Sequence, residues 1–290
     1  MAWADKLKSN EFAVVAEMET PKGVDISDFV AAARQLKGRV DAVLVPDMSF
    51  AVMRLCALSG AVVLKQQGLE PIVQFSCRDR NRLALQADLL GAQVLGISNV
   101  MAVAGEPVAM GDHLDAKPVY DLTPATFLEA AAGMAKGVDL AGQELKGKPK
   151  FCLGARIEPW ADPAEMAQRL AEAKTAVSKG AAFLVAPAVF DLAAFAEFMK
   201  QAKGLGVPVI AGVLLLKSVG MARYLNQNLP GVAISEETIR RIRSASDRTA
   251  ECVKIAAETI KGLKPLCGGA LIITAGWEDR LPEILDAAGL

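Results

Sequence analysis

The chain has 290 residues, enough for one large domain or two small ones, and 52% of them are hydrophobic, so a sizeable core can form. A formal net charge of −1 does not supply the concentrated basic face of a nucleic-acid binder. No apolar run reaches the roughly 18 residues that a membrane span needs, and Met1-Ala2-Trp3-Ala4-Asp5-Lys6 is too polar for a secretory signal; a cytoplasmic location is expected.

Strand-like and helix-like runs alternate along the whole chain. Phe12–Glu17 is an apolar run of the kind that forms a buried parallel strand, and Pro21 and Gly23 force a turn after it. Ile26–Lys37 carries Phe29, Ala32, Ala33 and Leu36 at helical spacing. Asp41–Val45 is a second strand and Ala51–Gln67 a helix closed by Gly68. Pro71–Phe75 is a third strand, with a helix over Asp79–Leu90 stopped by Gly91. The fourth strand falls at Val100–Ala104 and ends in Gly105-Glu106-Pro107. A longer connection, Val108–Thr123, leads to a helix at Pro124–Lys136, and Gly142–Lys150 reads as a surface loop. Phe151–Arg156, Ala182–Ala186, Val207–Ala211 and Ala270–Thr274 are the remaining strands. The helices between and after them are Pro163–Lys179, Leu192–Lys203, Val219–Asn226, Glu236–Ile260 and Pro282–Ala288. Eight strands, each followed by helix, predict a single (β/α)8 TIM barrel over residues 1–290.

The five cysteines, Cys56, Cys77, Cys152, Cys252 and Cys267, show no metal-ligand spacing and read as free thiols. His113, the one histidine, lies in the polar stretch Gly111–Asp115, so proton transfer is expected to fall to carboxylates. A barrel puts its chemistry at the carboxyl ends of its strands. Those ends offer Glu17 and Glu19, Asp47, the run Gln74–Arg80, Gly105-Glu106, then Arg156, Glu158 and Trp160, Pro187, Lys217 and Gly276-Trp277. Glu17, Asp47 and Glu106 come from separate strands and converge by topology on one cavity, where acids acquire separated pKa values. Asp79 is a candidate helix cap. Arg78, Arg80 and Arg82 are candidates either to hold an anion at that helix N-terminus or to lie on its charged surface. Gly105 would let a flat ligand approach the backbone, or simply make a turn. The sequence has no G-x-G-x-x-G and no Walker loop.

Val15-Ala16-Glu17-Met18-Glu19-Thr20-Pro21-Lys22-Gly23 resembles the first-strand motif of the methylenetetrahydrofolate reductases. The stretch from Gln74 to Ala92 is similar to the branch of that family found in anaerobic one-carbon metabolism. Leu216-Lys217-Ser218-Val219-Gly220-Met221-Ala222-Arg223-Tyr224, Asn228-Leu229-Pro230-Gly231-Val232 and Ala275-Gly276-Trp277-Glu278 match further blocks of it. The resemblance implies a barrel that holds FAD and passes hydride to 5,10-methylenetetrahydrofolate, giving 5-methyltetrahydrofolate. It makes Glu17 the general acid, with Glu106 beside it as a second catalytic carboxylate. It assigns Asp47, Gln74, Cys77, Gly105, Glu106, Tyr120, Arg156 and Trp160 to the cofactor, and Met221 and Arg223, with Glu17, to the tetrahydrofolate substrate. Glu106 stands where the family has Asp, Pro187 where it has a folate-contacting Gln, and Arg156 where it has an aromatic residue. Some relatives of this branch work with a small cysteine-rich partner subunit, so an oligomer or hetero-complex is expected, with an electron donor to serve it. The alternative function is a partner-dependent or non-catalytic folate- or flavin-binding barrel subunit, which the mean hydropathy of +0.30 also suits.

Overall fold

The computed structural model describes residues 2–158, 163–229 and 231–290. Eight strands form a closed barrel in chain order: β1 (Ala13–Glu17), β2 (Ala42–Val45), β3 (Pro71–Ser76), β4 (Asn99–Val103), β5 (Cys152–Arg156), β6 (Ala181–Ala188), β7 (Val209–Leu214) and β8 (Gly269–Ile273). Every neighbouring pair is parallel, and β8 closes on β1 with Ala13 opposite Gly269. The helices are α1 (Trp3–Lys6), α2 (Ser27–Leu36), α3 (Ala57–Gln66), α4 (Arg82–Val94), α5 (Pro124–Lys136), α6 (Pro163–Ser178), α7 (Leu192–Ala202), α8 (Val219–Asn228), α9 (Glu236–Ser244), α10 (Arg248–Leu263) and α11 (Leu281–Ala288). The expected (β/α)8 barrel is therefore the fold. Among the described residues no helix is long and apolar enough to cross a membrane.

Strand residues alternate between two cores because successive side chains point to opposite faces. Val14, Ala16, Val43, Val45, Val73, Phe75, Val100 and Ala102 pack with helix residues such as Phe29, Leu64, Leu85 and Phe127. Ala13, Val15, Ala42, Leu44, Ile72, Met101, Phe183, Ile210 and Leu271 fill the lumen. Phe183 reaches so far across that a Cβ at Gly154 would lie 2.3 Å from its ring, so only glycine fits there. Trp3 of α1 is fully buried against Phe183, edge to face, with ring centroids 5.4 Å apart. The Trp3 main-chain N–H reaches Glu70 Oε1, which also accepts from Asn99 Nδ2 at 2.9 Å. Both partners sit at the amino ends of their strands, so α1 plugs that end of the barrel.

Three expectations about local structure change. The helix expected from Ala51 starts at Ala57, because Met48, Phe50 and Ala51 adopt left-handed backbone, with φ of 53°, 54° and 57°. The helix expected over Glu236–Ile260 is two helices: Ala245 is extended, and Asp247 caps α10 by accepting from the Ala250 N–H at 3.0 Å. The cap of α4 is Asn81, whose side chain accepts from the N–H groups of Leu83 and Ala84, and not Asp79, which is drawn off by Arg78. Strand β6 runs on to Ala188 through a register shift against β7 between Ala186 and Ala188. Pro187, having no N–H to give a ladder, sits in that bulge.

Candidate active site

Glu17 ends β1, opposite Leu44 of β2. It has the parity of Ala13 and Val15, so its carboxyl points into the mouth of the lumen at the carboxyl end. The side chain is partly buried, and among the described residues no donor reaches its carboxylate. Burial pushes its pKa up to about 7. The negative charges of Glu19, Glu106 and Glu278 push the same way, against the pull of Arg156. Burial and like charge both disfavour the ionised form, which leaves an acid able to hold or release a proton near neutrality.

The surrounding acids are fixed from different loops. Glu19 pairs with Arg54 Nη2 at 2.8 Å, and Arg54 Nη1 donates to the Thr20 carbonyl at 3.3 Å. Glu106 accepts from the Phe50 N–H at 3.2 Å and stands 4.0 Å from Arg156, whose Nε is 3.3 Å from Glu158. Glu278 accepts from the Gly276 N–H at 3.0 Å and from the Thr274 hydroxyl at 3.2 Å. A cavity of about 340 Å³ lies between the β1 and β8 ends and α2, lined by Glu19, Thr20, Phe29, Arg54, Gly276 and Glu278. Six non-glycine residues have left-handed backbone among the described residues. Five of them, Met48, Phe50, Ala51, Tyr120 and Ala275, are on this rim, where strain is held in place by surrounding structure.

The three arginines after β3 hold the rim together and are not free for an anion. Arg78 is buried and grips Asp79 with two bonds of 2.7 and 2.6 Å; it also donates to the carbonyls of Glu106 (2.9 Å) and Met48 (3.3 Å). Arg80 pairs with Asp47 and Asp88, and Arg82 with Asp121 at 2.8 Å. Each positive charge is met by a carboxylate of the chain itself, which leaves little for a ligand. The close approach that Gly105 permits is likewise to the protein. Its φ is +88°, and a Cβ there would lie 2.3 Å from Ser76 Oγ and 2.9 Å from Arg78 Cβ.

The other expected site residues are scattered around this frame. Asp47 is buried, accepting from the Ser76 N–H at 2.9 Å. Cys77 packs in the layer between barrel and helices, where burial pushes its thiol up to about 11. Gln74 faces the lumen, and among the described residues its amide meets only Met101 Sδ, at 3.9 Å. Tyr120 is exposed on the connection after β4. Met221 lies under Lys217, its sulfur 3.4 Å from the Lys217 N–H, and Arg223 is exposed on α8. Trp160 lies outside the described residues. The structure thus brings Glu17, Glu106 and Arg156 to one mouth, and holds Asp47 and Cys77 behind it. Sequence reasoning missed Arg54 and the part played by Glu278. The Glu278 signal was present in the Ala275–Glu278 block, whereas Arg54 sits in a loop that reads as helix.

The comparisons agree with this architecture. An uncharacterized protein from Clostridium thermocellum that binds two copies of 5-methyl-5,6,7,8-tetrahydrofolic acid superposes with a TM-score of 0.65 at 12% identity, covering 98% of this chain and 96% of that one. An EDTA monooxygenase from a Chelativorans species gives 0.59 at 9% identity, covering 96% and 92%. A long-chain alkane monooxygenase gives 0.54 at 14%, covering 96% and 90%. At such identities these likenesses speak for the barrel fold alone. No curated protein matches the chain. The family model described as methylenetetrahydrofolate reductase matches residues 3–267, and the chain belongs to that family.

Proposed function

We propose that the protein reduces 5,10-methylenetetrahydrofolate to 5-methyltetrahydrofolate with a bound flavin, and that Glu17 supplies the proton. The observation that carries this reading is a carboxyl at the lumen mouth with a pKa near 7. With that value about half of the Glu17 side chains are protonated at pH 7, against fewer than about 1 in 100 for an ordinary glutamate. Opening the imidazolidine ring of the substrate needs a proton on the departing nitrogen, and a neutral, water-shielded carboxylic acid gives one readily. Family membership and the folate-binding neighbour support the substrate class.

The mouth suits a flavin. The Gln74 amide is underused, Arg156 is a half-exposed cation in long ion pairs, and Phe50 and Tyr120 are exposed on the loops after β2 and β4. Those residues would hold the cofactor, with Asp47 and Cys77 supporting them from behind. A bound flavin supplies hydride chemistry. Glu106, fixed by the Phe50 N–H, has a second oxygen turned toward Arg156 and can accept from ring N–H groups of a ligand.

Stopped-flow measurement of the two half-reactions in Glu17→Gln tests this. Flavin reduction by the electron donor should persist, and flavin reoxidation by methylenetetrahydrofolate should slow by about 10²–10⁴-fold. Equal rates in variant and wild type would remove Glu17 from the reaction. A purified protein that takes up no flavin would remove the reductase reading.

A further inference from the structure

Helix α4 is apolar on two sides. Its inner side, Leu85, Leu89 and Ala92, is buried against the barrel. Its outer side carries Leu83, Ala87, Leu90 and Val94, all open to solvent, with Leu83 74%, Leu90 38% and Val94 85% exposed. A surface helix ordinarily has one apolar face and turns polar residues outward. The polar residues of α4 are engaged within the subunit instead. Arg82 pairs with Asp121, and Asp88 with Arg80. Gln86 accepts from the Leu140 N–H at 2.9 Å and Gln93 from the Lys150 N–H at 2.7 Å, both on the connection before β5. Leu83, Ala87, Leu90 and Val94 follow one another at intervals of four, three and four residues, the spacing of a seam between paired helices. That order of intervals reads the same in both directions.

We propose that the outer side of α4 is the contact between two copies of this chain, packed antiparallel about a two-fold axis that passes between Asp88 and Leu89. A two-fold contact needs a surface that complements itself, and this one does. Leu83 of one copy meets Val94 of the other, and Leu90 packs over the small Ala87, so bulk faces space at the centre. Leu95, 47% exposed, meets the long apolar stem of Arg82. Both charges on the helix are neutralised inside their own subunit, so no like charges are set against each other. The strip is about 16 Å long and one helix wide, less than the roughly 1,600 Å² of a standard interface. The dimer is therefore of the weak, reversible, micromolar class. Antiparallel pairing points the two barrels in opposite directions, which leaves both mouths open.

Sedimentation equilibrium of the full chain across micromolar concentrations tests this, with Leu90→Glu and Val94→Glu as variants. Wild type should dimerise, and each variant should raise the dissociation constant about 100-fold or more, because a two-fold contact buries every added carboxylate twice. Both positions are exposed in the monomer, so the melting temperature of the dilute protein should not fall. Cross-linking then reads the register. Leu83→Cys and Val94→Cys are made separately with Cys56→Ser, which removes the exposed native thiol. A short bis-thiol reagent should join the two proteins when they are mixed and join neither to itself. A wild type that stays monomeric throughout, its seam bare or kept for a different protein, would overturn the assignment. So would a dimer that both glutamates leave intact, or a cross-link formed by either cysteine variant alone.

Discussion

Replacing Glu17 by glutamine should stabilise the protein at alkaline pH and leave it unchanged at acid pH. The unfolded chain ionises this carboxyl near 4.5, and the folded protein near 7. Below 4.5 both states carry the proton and the site is neutral in its effect. Between 4.5 and 7 the unfolded state gives up its proton while the native state keeps it, so native stability falls as pH rises. Above 7 both are ionised, and the native state bears the whole cost of a charge that is partly buried among other acids. Each tenfold change in an ionisation equilibrium is about 1.4 kcal/mol, so that cost is about 3 kcal/mol. Glutamine removes it while keeping the side chain's shape. For a chain of this size 3 kcal/mol corresponds to a melting temperature higher by about 6 °C at pH 8.5, closing to nothing near pH 4.5. Calorimetric melting of both proteins across that range measures it. A variant no more stable than wild type at pH 8.5, or a gap that does not change with pH, would refute the electrostatic account of Glu17.

Gly105→Ala should cost about 3 kcal/mol in urea unfolding, since it forces a Cβ into Ser76 and Arg78 on a left-handed backbone; a loss under about 1 kcal/mol would mean that the rim yields easily there. A thiol reagent at pH 8 should modify one cysteine of the native protein quickly, the exposed Cys56. Burial lifts Cys77, Cys152, Cys252 and Cys267 to about 11, and these four should react only on unfolding. Two or more fast thiols would contradict that packing.

The barrel was legible because each strand is a short apolar run with a turn signal after it, and Glu17 because it interrupts such a run at its end. What escaped depends on partners distant in sequence. Arg78, Arg80 and Arg82 look like an anion cluster along the chain; Asp47, Asp88 and Asp121, which neutralise two of them, are brought up only by the fold. Ser49–Arg54 has apolar residues at helix-like spacing and no glycine, so nothing local announces its left-handed turn. That turn is held from outside, by the Glu106 carboxylate on the Phe50 N–H and the Asp112 carboxylate on the Met53 N–H at 3.0 Å. Ser246-Asp247 is a cap signal inside an otherwise helical pattern, and it outweighs the periodicity around it. Trp3 stands in a polar N-terminal stretch that gave no sign of a core role, yet its ring is the plug, packed edge to face on Phe183 of the apolar lumen.

That plug makes the barrel a vessel with one door. The indole of Trp3 and the ring of Phe183 close the amino end, and Met101, Ile210 and Leu271 fill the middle, so nothing passes through from below. Traffic to Glu17 enters and leaves by the same opening. Two reactants that need the same floor space above that carboxyl must take turns, and the first product has to depart before the second reactant arrives. For the reductase proposed above, a two-stroke kinetic pattern, with one partner competing against the other at high concentration, would then follow from how the bottom of the barrel is packed, about as far from Glu17 as the fold allows.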